Sequence, residues 1–286
     1  MSEVDLRRLR LAIEALRAGR VVPYLGPDVL GLVPEPAVPA TPQALAAMLT
    51  ARIAVPHKIR KRLTQAAQFI ENFKHRKTLV AAMNAAFCAA PAPSQLHRAI
   101  AASGAPLIVD TWYDDAMAEA LRAQLGERLW WQIQGVSQSE HAGSWTRAYD
   151  AKGAVASEPD PAWHTLLYRP LGGHAPAGNY LVSDSDFVEV LTEIDIQTPI
   201  PREVQALRRG RHFLYLGCRF NDQLTRSFAR QIAKRSSDYH WAVLPEAPTR
   251  MEARFLEEQH IERIAMPLGA VAAQLNAAVV RPKMAV

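Results

Sequence analysis

The sequence has few of the features that mark disulfide-rich, metal-binding or membrane proteins. Its 286 residues include two cysteines, Cys88 and Cys218, and no CxxC or Cys/His cluster. A disulfide framework and a structural zinc site are therefore not expected. No apolar run approaches the roughly 20 residues that span a bilayer, and no N-terminal apolar core indicates a signal peptide. We expect a cytoplasmic protein without membrane partners.

Common catalytic and nucleotide-binding signatures are missing as well. The sequence contains no GxGxxG, Walker-type, GxSxG, HExxH or EF-hand pattern, and nothing repeats at a solenoid period. The net charge of +5 suits an anionic ligand such as a dinucleotide, but it identifies no partner. Single motifs thus assign no function, and the order of the structural elements has to be considered.

The sequence does contain a regular alternation of apolar runs and helical stretches. The predicted strands are VVPYL, PLIVDT, RLWWQIQGVS, HTLLYRPLGG, FLYLG, HWAVLP and IERIAMPL. Strands that alternate with helices predict a Rossmann-like α/β fold, a mostly parallel sheet with helices on both faces. The proline-rich VPEPAVPATP precedes a helical stretch, which predicts a small helical insertion at 36–93. The expected domains are 1–35 with 94–286, and the insertion.

The segment 57–77 in this insertion is rich in lysine and arginine. Such a segment can form a surface for nucleic acid or for an acidic partner. It can equally be the solvated face of a helix. We favour the solvated face, so nucleic acid is not an expected partner.

Two glycine turns follow predicted strands, at Gly26 in PYLGPDVL and at Gly217 in FLYLGCRFND. A glycine between a strand and a helix lets the backbone approach a ligand, and helix N-terminal amides can bind phosphate. A purely structural turn explains a lone glycine at least as well. Cys218 follows the second turn, and without a visible partner base we interpret it as a small buried side chain.

The segment VDTWYDD ends a predicted strand with several polar residues. In open α/β sheets, ligands bind at this end of the strands. Asp110, Asp114 and Asp115 could provide paired carboxylates for acid–base work or magnesium. We expect instead that Asp110 caps the following helix and that Asp115 is solvated. His174, in the glycine-rich LGGHAPAGN, is the histidine with the strongest case for a functional role.

The order of these segments resembles the sirtuin-like, or silent-information-regulator-like, domain family from about residue 10 to about residue 270. VVPYLGPDVL resembles the family's strand and Gly-Ala-Gly-x-Ser loop, and LIVDTWYDDAM resembles its strand and Thr-Asn-Tyr-Asp-Asp segment. LLYRPLGG resembles the strand that carries Leu-His-Gly, and NYLVSDSDFVEVL the segment after it. FLYLGCRFNDQL resembles the late strand with the ribose-contacting glycine turn, and HWAVLP the strand that follows. Each motif is loose, and the specificity comes from their order.

The resemblance implies a Rossmann-like sheet with a small inserted domain, and NAD or ADP-ribose in the cleft between them. Family members deacylate lysines at the expense of NAD or hydrolyse NAD, often in anti-phage defence. This chain would be a divergent, stand-alone bacterial member. By resemblance, the cofactor-binding residues are Gly26, Asp28, Thr111, Asp114, Gly172, Gly217 and Cys218.

The departures from the family pattern fall on its catalytic positions. Trp112 stands at the position of the asparagine, Leu171 at that of the histidine, and Asp28 at that of the second glycine. Leucine cannot accept a proton. An indole N–H only donates a hydrogen bond and does not titrate usefully. Losing one acid–base group costs about 10²–10⁴-fold in rate. We therefore expect an inactive or strongly impaired protein, with Trp112 at the nicotinamide end of a remodelled nucleotide cleft.

Two alternatives remain open from the sequence. In the first, the chain is an active NAD hydrolase or NAD-dependent deacylase that uses relocated groups, His174 and Asp114. In the second, it is a nucleic-acid-binding module that uses the basic segment 57–77. The favoured interpretation keeps the cleft as a surface for a nucleotide or a protein partner. The sequence predicts no metal site and does not indicate an oligomeric state.

Overall fold

An eight-stranded, mostly parallel sheet forms the centre of the structure, which is a computed structural model. The described residues are 2–141, 143–196 and 200–280. The expected domains also contain residues 1, 142, 197–199 and 281–286, which lie outside the described residues. The sheet and the helices that cover it confirm the predicted Rossmann-like α/β class.

The strands are short and mostly buried. They are β1 (Val21–Leu25), β2 (Leu107–Asp110), β3 (Trp130–Gly135), β4 (Thr146–Asp150), β5 (Thr165–Arg169), β6 (Gly172–Gly173), β7 (Asn179–Tyr180), β8 (His212–Leu216), β9 (His240–Val243) and β10 (Ile261–Ile264). The main sheet has the order β10-β9-β8-β1-β2-β5-β3-β4, and β6 and β7 form a separate hairpin. Of the main strands, β4 alone runs antiparallel to its neighbour. The sequence did not predict β4, because this half-exposed edge strand has no apolar run.

Eleven α-helices lie in the described part of the chain. They are α1 (Glu3–Arg17), α2 (Pro42–Arg52), α3 (Leu63–Lys74), α4 (Arg76–Phe87), α5 (Gln95–Ala102), α6 (Ala116–Leu125), α7 (Asp184–Ile196), α8 (Arg202–Arg208), α9 (Gln223–Ala233), α10 (Arg250–Glu258) and α11 (Leu268–Val280). A 3₁₀ segment, Pro27–Leu32, follows β1. Polar caps begin several helices, since Thr41 accepts from Ala44 N and Ser94 from His97 N.

Helices cover both faces of the sheet, and the strands serve two hydrophobic cores. In β1, Val21 and Leu25 point into the core beneath α1, α5, α6 and α11. Val22 and Tyr24, from the same strand, point into the core beneath α7 to α10. Alternate side chains of a strand face opposite sides of its sheet, and a strand covered on both sides is apolar throughout. This explains why these strands appear as continuous apolar runs.

A third core joins helices α2, α3 and α4 to the edge of the sheet. It contains apolar residues from all three helices, such as Leu45, Ile70 and Met83. It also contains Trp112 and Tyr180, which belong to the segments that follow β2 and form β7. These three helices thus share their core with the sheet domain and are fixed against its carboxyl edge.

Arg76, at the start of α4, fastens the same helices through charge. Its guanidinium lies 2.9 Å from Asp186 and 3.4 Å from both Glu71 and Glu140, and it donates to the carbonyl oxygen of Tyr180. The Asp186 side chain is 1% exposed, so it depends on this counter-charge. One arginine therefore links α3, α4, the segment after β3 and the start of α7.

Replacing Arg76 by alanine is expected to destabilise the protein by about 3 kcal/mol, because the buried Asp186 loses its cation. Denaturant unfolding measures the change. Lys77→Ala is the matched control, since Lys77 is the next residue of the same helix and is exposed. It should change stability by less than about 0.5 kcal/mol. Equal effects of the two substitutions would contradict a fastening role for Arg76.

Candidate functional site

The candidate site lies at the carboxyl ends of β1, β2 and β8. Strand β1 pairs with β2 on one side and with β8 on the other. This is a topological switch point, where open α/β sheets form their ligand crevice. Two cavities open there, of about 540 Å³ and about 340 Å³, and both are lined by Asp28, Cys218 and Arg219. The larger one lies within the size range of small-molecule sites.

The larger cavity lies between the sheet edge, the start of α3 and the start of α9. Its apolar and aromatic lining consists of Tyr24, Leu63, Trp112, Tyr113, Leu171, Phe187, Leu224 and Phe228. Its charged lining consists of Asp28, Lys61, Arg62, Asp184, Arg219 and Asp222. Neutral polar groups include Thr111 and Asn221, and no histidine is among the described lining residues. A mostly apolar wall with a few charged groups suits a partly aromatic, charged ligand.

Gly26 and Gly217 bring the ends of β1 and β8 into direct contact. A Cβ on Gly26 would lie 2.3 Å from the carbonyl oxygen of Gly217. Gly217 has φ +66°, and a Cβ there would lie 2.7 Å from Val29 N. Both glycines are thus required by the close packing of two loops. The contact of the loops with each other accounts for both glycines without a ligand.

The backbone amides of the first loop are used within the protein. Asp28 N donates to the carbonyl oxygen of Gly217 at 3.2 Å, and Val29 N donates to that of Gly26 at 3.2 Å. The Asp28 side chain does not cap the 3₁₀ segment, because the residue before that segment is Gly26 and no side-chain cap bond forms. Instead its carboxyl group lies where the two cavities meet. Desolvation by the surrounding protein raises the pKa of this carboxyl group.

Trp112 is held by the helices of the third core. Its indole Nε1 donates to the carbonyl oxygen of Pro39 at 2.8 Å, and its ring packs edge-on against Phe87. The side chain is 4% exposed, so only a small part of it reaches the larger cavity. The one polar atom of the side chain is therefore already bonded, and Trp112 presents an apolar surface to the cavity.

The other sequence-predicted residues at the cavity offer no free polar or reactive group. Leu171 lines the cavity with an aliphatic side chain. The hydroxyl of Thr111 lines it too, but donates to the carbonyl oxygen of Leu25 at 2.8 Å. Cys218 is buried, and burial raises the pKa of its thiol, with a further contribution from Asp28. A thiol with a raised pKa carries little of the reactive thiolate.

Three of the predicted site residues do not line either cavity. Gly172 pairs with Tyr180 in the β6–β7 hairpin. His174 Nδ1 lies 3.3 Å from the Tyr180 hydroxyl, which itself donates to Asn84. Asp114 is buried and accepts from Ala116 N at 2.8 Å. The structure therefore brings Gly26, Asp28, Thr111, Gly217 and Cys218 together at the cavities, and it places His174, Asp114 and Gly172 behind them.

Two expectations for the aspartates after β2 are wrong. Asp110 does not cap α6, because its carboxylate is buried and accepts from Trp112 N at 3.3 Å. Asp115 is not solvated, because its carboxylate lies 2.8 Å from the buried Arg169 guanidinium. The physical reason is Arg169, at the end of β5, which turns the segment inward. The sequence carried no local signal for this pair, because Arg169 lies 54 positions from Asp115.

The surroundings of two buried carboxyl groups in this segment raise their pKa values. Burial raises the pKa of Asp110, the neighbouring Asp114 raises it further, and Arg169 opposes both effects. Burial also raises the pKa of Asp114, against its hydrogen bond from Ala116 N and the charge of Arg169. Both groups thus bind protons more tightly in the folded protein than in the unfolded chain.

Several charged residues at the cavity were not predicted as site residues. Lys61 and Arg62 line it from the turn before α3, Asp184 from the start of α7, and Asp222 from the start of α9. Lys61 and Arg62 belong to the basic segment 57–77, so the sequence signal was present but pointed to a different kind of partner. Asp184 and Asp222 had no signal beyond their positions at helix starts.

Two further properties concern the residues that the structure describes. Within the described ranges, no group of three or more His, Cys, Asp or Glu side chains is arranged to hold a metal ion. Every helix in the described part of the chain is too short or too polar to cross a bilayer.

Replacing Asp110 by asparagine is expected to stabilise the protein increasingly as pH rises. The raised pKa means that wild-type stability is fully present below the unfolded-state pKa of about 4 and is lost as pH rises toward the folded-state value. Asparagine keeps an acceptor for Trp112 N without this loss. Urea unfolding from about pH 5 to about pH 8 measures the difference, which should grow by more than about 1 kcal/mol.

The exposed Asp238 provides the control for this measurement. Asp238→Asn should leave the pH dependence of wild-type stability unchanged. If the stability difference between Asp110→Asn and wild type stays constant with pH, the pKa of Asp110 is not raised in the folded protein.

Comparison with known families agrees with the topology. Residues 106–264, more than half of the chain, match the SIR2-like domain. The matched region begins just before β2 and ends with β10, so it contains the Trp112 segment, Leu171 and the Gly217 turn. No curated protein matches the chain. The chain belongs to the SIR2-like domain family.

Proposed function

We propose that the protein is a catalytically inactive or strongly impaired SIR2-like protein that uses its remodelled cleft to bind a nucleotide or a protein partner. The observation that carries this proposal is the lining of the larger cavity by Trp112 and Leu171. These residues stand where the family resemblance implies an asparagine and a histidine. The cavity has kept its place at the switch point, while its described lining offers no histidine.

Trp112 does more than remove the asparagine of the family pattern, because its side chain is bonded into the fold. Its indole N–H is bonded to Pro39, and its ring is part of the core shared with α2, α3 and α4. A tryptophan in this position cannot accept a proton or a ribose hydroxyl. We infer that the position has passed from binding the cofactor to holding the helices.

The family typically binds NAD, and the cleft fits this cofactor only in part. The two cavities share Asp28, Cys218 and Arg219, so they adjoin at these residues. The first loop fits a pyrophosphate poorly. Its amides at residues 28 and 29 are bonded within the protein, and the Asp28 carboxyl group lies beside them. A carboxylate repels a phosphate that binds next to it. We therefore propose weak binding of NAD and ADP-ribose compared with active members.

An active hydrolase or deacylase that uses His174 and Asp114 has less support. His174 contacts Tyr180, and Asp114 bonds the first turn of α6, and neither residue lines a described cavity. A general base has to reach the proton that it removes.

A nucleic-acid-binding role for the segment 57–77 has less support too, because Arg76 is turned inward to Asp186.

The proposal places the protein in the cytoplasm. Cys88 is exposed and Cys218 is buried, and both are free thiols. Free, unpaired cysteines are typical of a reducing compartment.

The protein should leave NAD intact. Incubation of purified protein with NAD, followed by chromatography, should show no nicotinamide release beyond that in buffer. By the family resemblance, Leu171 replaces a histidine whose acid–base contribution is worth about 10²–10⁴-fold, and Trp112 replaces an asparagine that positions the reacting groups. His174→Ala serves as the matched variant and should behave as wild type. Nicotinamide release that disappears in His174→Ala would overturn the proposal in favour of the relocated site.

Replacing Asp28 by asparagine should tighten the binding of ADP-ribose. Removing the carboxylate relieves its repulsion of the pyrophosphate, and we expect about ten-fold tighter binding, which corresponds to about 1.4 kcal/mol. Isothermal titration calorimetry measures the change. Asp222→Asn is the control, because Asp222 lines the same cavity but its carboxylate is occupied with Thr225. Unchanged affinity in Asp28→Asn would show that the pyrophosphate does not approach this loop.

A further inference from the structure

The charges around the larger cavity are distributed unevenly. At the sheet end, Asp28 has a positive neighbour in Arg219. Arg219, however, already lies 2.6 Å from Glu246 and 3.1 Å from Glu252. Two carboxylates therefore compensate its single charge, and Asp28 adds a third. This end of the cavity, where the family resemblance implies phosphate binding, is unfavourable for an anion.

At the start of α3 the cavity is lined by two cations without an ion-pair partner, and Asp184, from the start of α7, adds one carboxylate to the same cavity. Lys61 and Arg62 line it from an exposed basic turn at residues 57–62. Among the described residues, neither side chain lies within ion-pair distance of a carboxylate. Arg62 makes only a long contact of 3.4 Å to Gln65. Both cations are thus available to a ligand in the cavity.

The backbone next to these cations strengthens the same preference. Arg62 precedes the first turn of α3 without a side-chain cap, and that turn contains no acidic residue. Leu63, Thr64 and Gln65, the first residues of the helix, line the cavity. In the described structure their backbone N–H groups have no hydrogen-bond acceptor, as is usual for an uncapped first turn. The residues that carry these donors line the same cavity as Lys61 and Arg62 and follow them directly in the chain.

The apolar part of the cavity wall suits a planar ring. It is formed by aromatic and aliphatic side chains, namely Tyr24, Trp112, Leu171, Phe187, Leu224 and Phe228. The cavity of about 540 Å³ has room for a ligand of nucleotide size. A ligand with a ring at one end and a phosphate at the other would match this wall and the basic turn together.

We propose that Lys61 and Arg62 form an anion subsite for the phosphomonoester of a nucleoside monophosphate, whose base lies against the apolar wall. This inference rests on the proposed nucleotide-binding function and deepens it. The phosphate is bound at the start of α3 and not at the Gly26 loop. Charge-assisted bonds from a lysine and an arginine provide the affinity. The uncapped amides of α3 add donors to the same group.

Calorimetry with AMP and adenosine tests the subsite, because the two ligands differ only in the phosphate. Wild-type protein should bind AMP at least about ten-fold more tightly than adenosine, and rising salt should weaken only the AMP affinity. In the double variant Lys61→Gln/Arg62→Gln, the AMP affinity should fall to that of adenosine. Lys58→Gln/Arg60→Gln is the matched control, since these cations lie in the same turn but do not line the cavity. It should retain the wild-type preference.

Three outcomes would overturn the inference. They are an AMP affinity that survives Lys61→Gln/Arg62→Gln, an equal loss in the control variant, and a wild-type protein that does not prefer AMP to adenosine. Tighter AMP binding in Asp28→Asn, with no effect of Lys61→Gln/Arg62→Gln, would place the phosphate at the Gly26 loop instead.

A parallel titration with ADP-ribose separates a failure of the phosphate subsite from a failure of nucleotide binding as a whole. Binding of ADP-ribose without the AMP preference removes the subsite alone, whereas a wild-type protein that binds no nucleotide removes the nucleotide-binding function as well.

Discussion

The buried guanidinium of Arg169 is the interaction on which the rest of the site depends. It lies 2.8 Å from the Asp115 carboxylate and donates to the carbonyl oxygens of Tyr113, Asp114 and Ala175. Asp110 and Asp114 are close enough for its charge to lower their pKa values against the effect of burial. A buried cation without such partners would be strongly destabilising, and so would these carboxylates without the cation. Arg169 thus fixes the backbone after β2 in one path.

That path determines what Trp112 does. With the backbone on both sides held by Arg169 and by the bond from Trp112 N to Asp110, the indole projects toward α4 and the Pro39 carbonyl. There it joins a core with helices α2, α3 and α4. The turn before α3 in turn carries Lys61 and Arg62, which line the larger cavity. A buried ion pair beside the sheet is therefore connected, through one aromatic side chain, to the charged lining of the cavity.

The sequence predicted the parts of the fold that depend on local pattern. Continuous apolar runs located the central strands, and the helical stretches between them predicted helices on both faces of the sheet. The edge strand β4 and the β6–β7 hairpin were missed, because pairing rather than apolar content defines them. At the site, Leu171 and Trp112 could be placed by resemblance. The buried environment of Asp110 and Asp115 could not be predicted, because the positive charge beside them belongs to Arg169, which lies more than fifty positions away in the chain.

At the position where the family resemblance implies an asparagine, Trp112 has a structural consequence beyond the proposed loss of catalysis. An asparagine at this position would leave the Pro39 carbonyl without its indole donor and would open a cavity beside Phe87. A buried carbonyl without a donor and a large-to-small change in a core each cost stability, and together they amount to several kcal/mol. Under the proposed function, catalysis and the attachment of helices α2, α3 and α4 thus compete for one side chain. In this structure Trp112 serves attachment, which makes an asparagine at this position unfavourable for the fold.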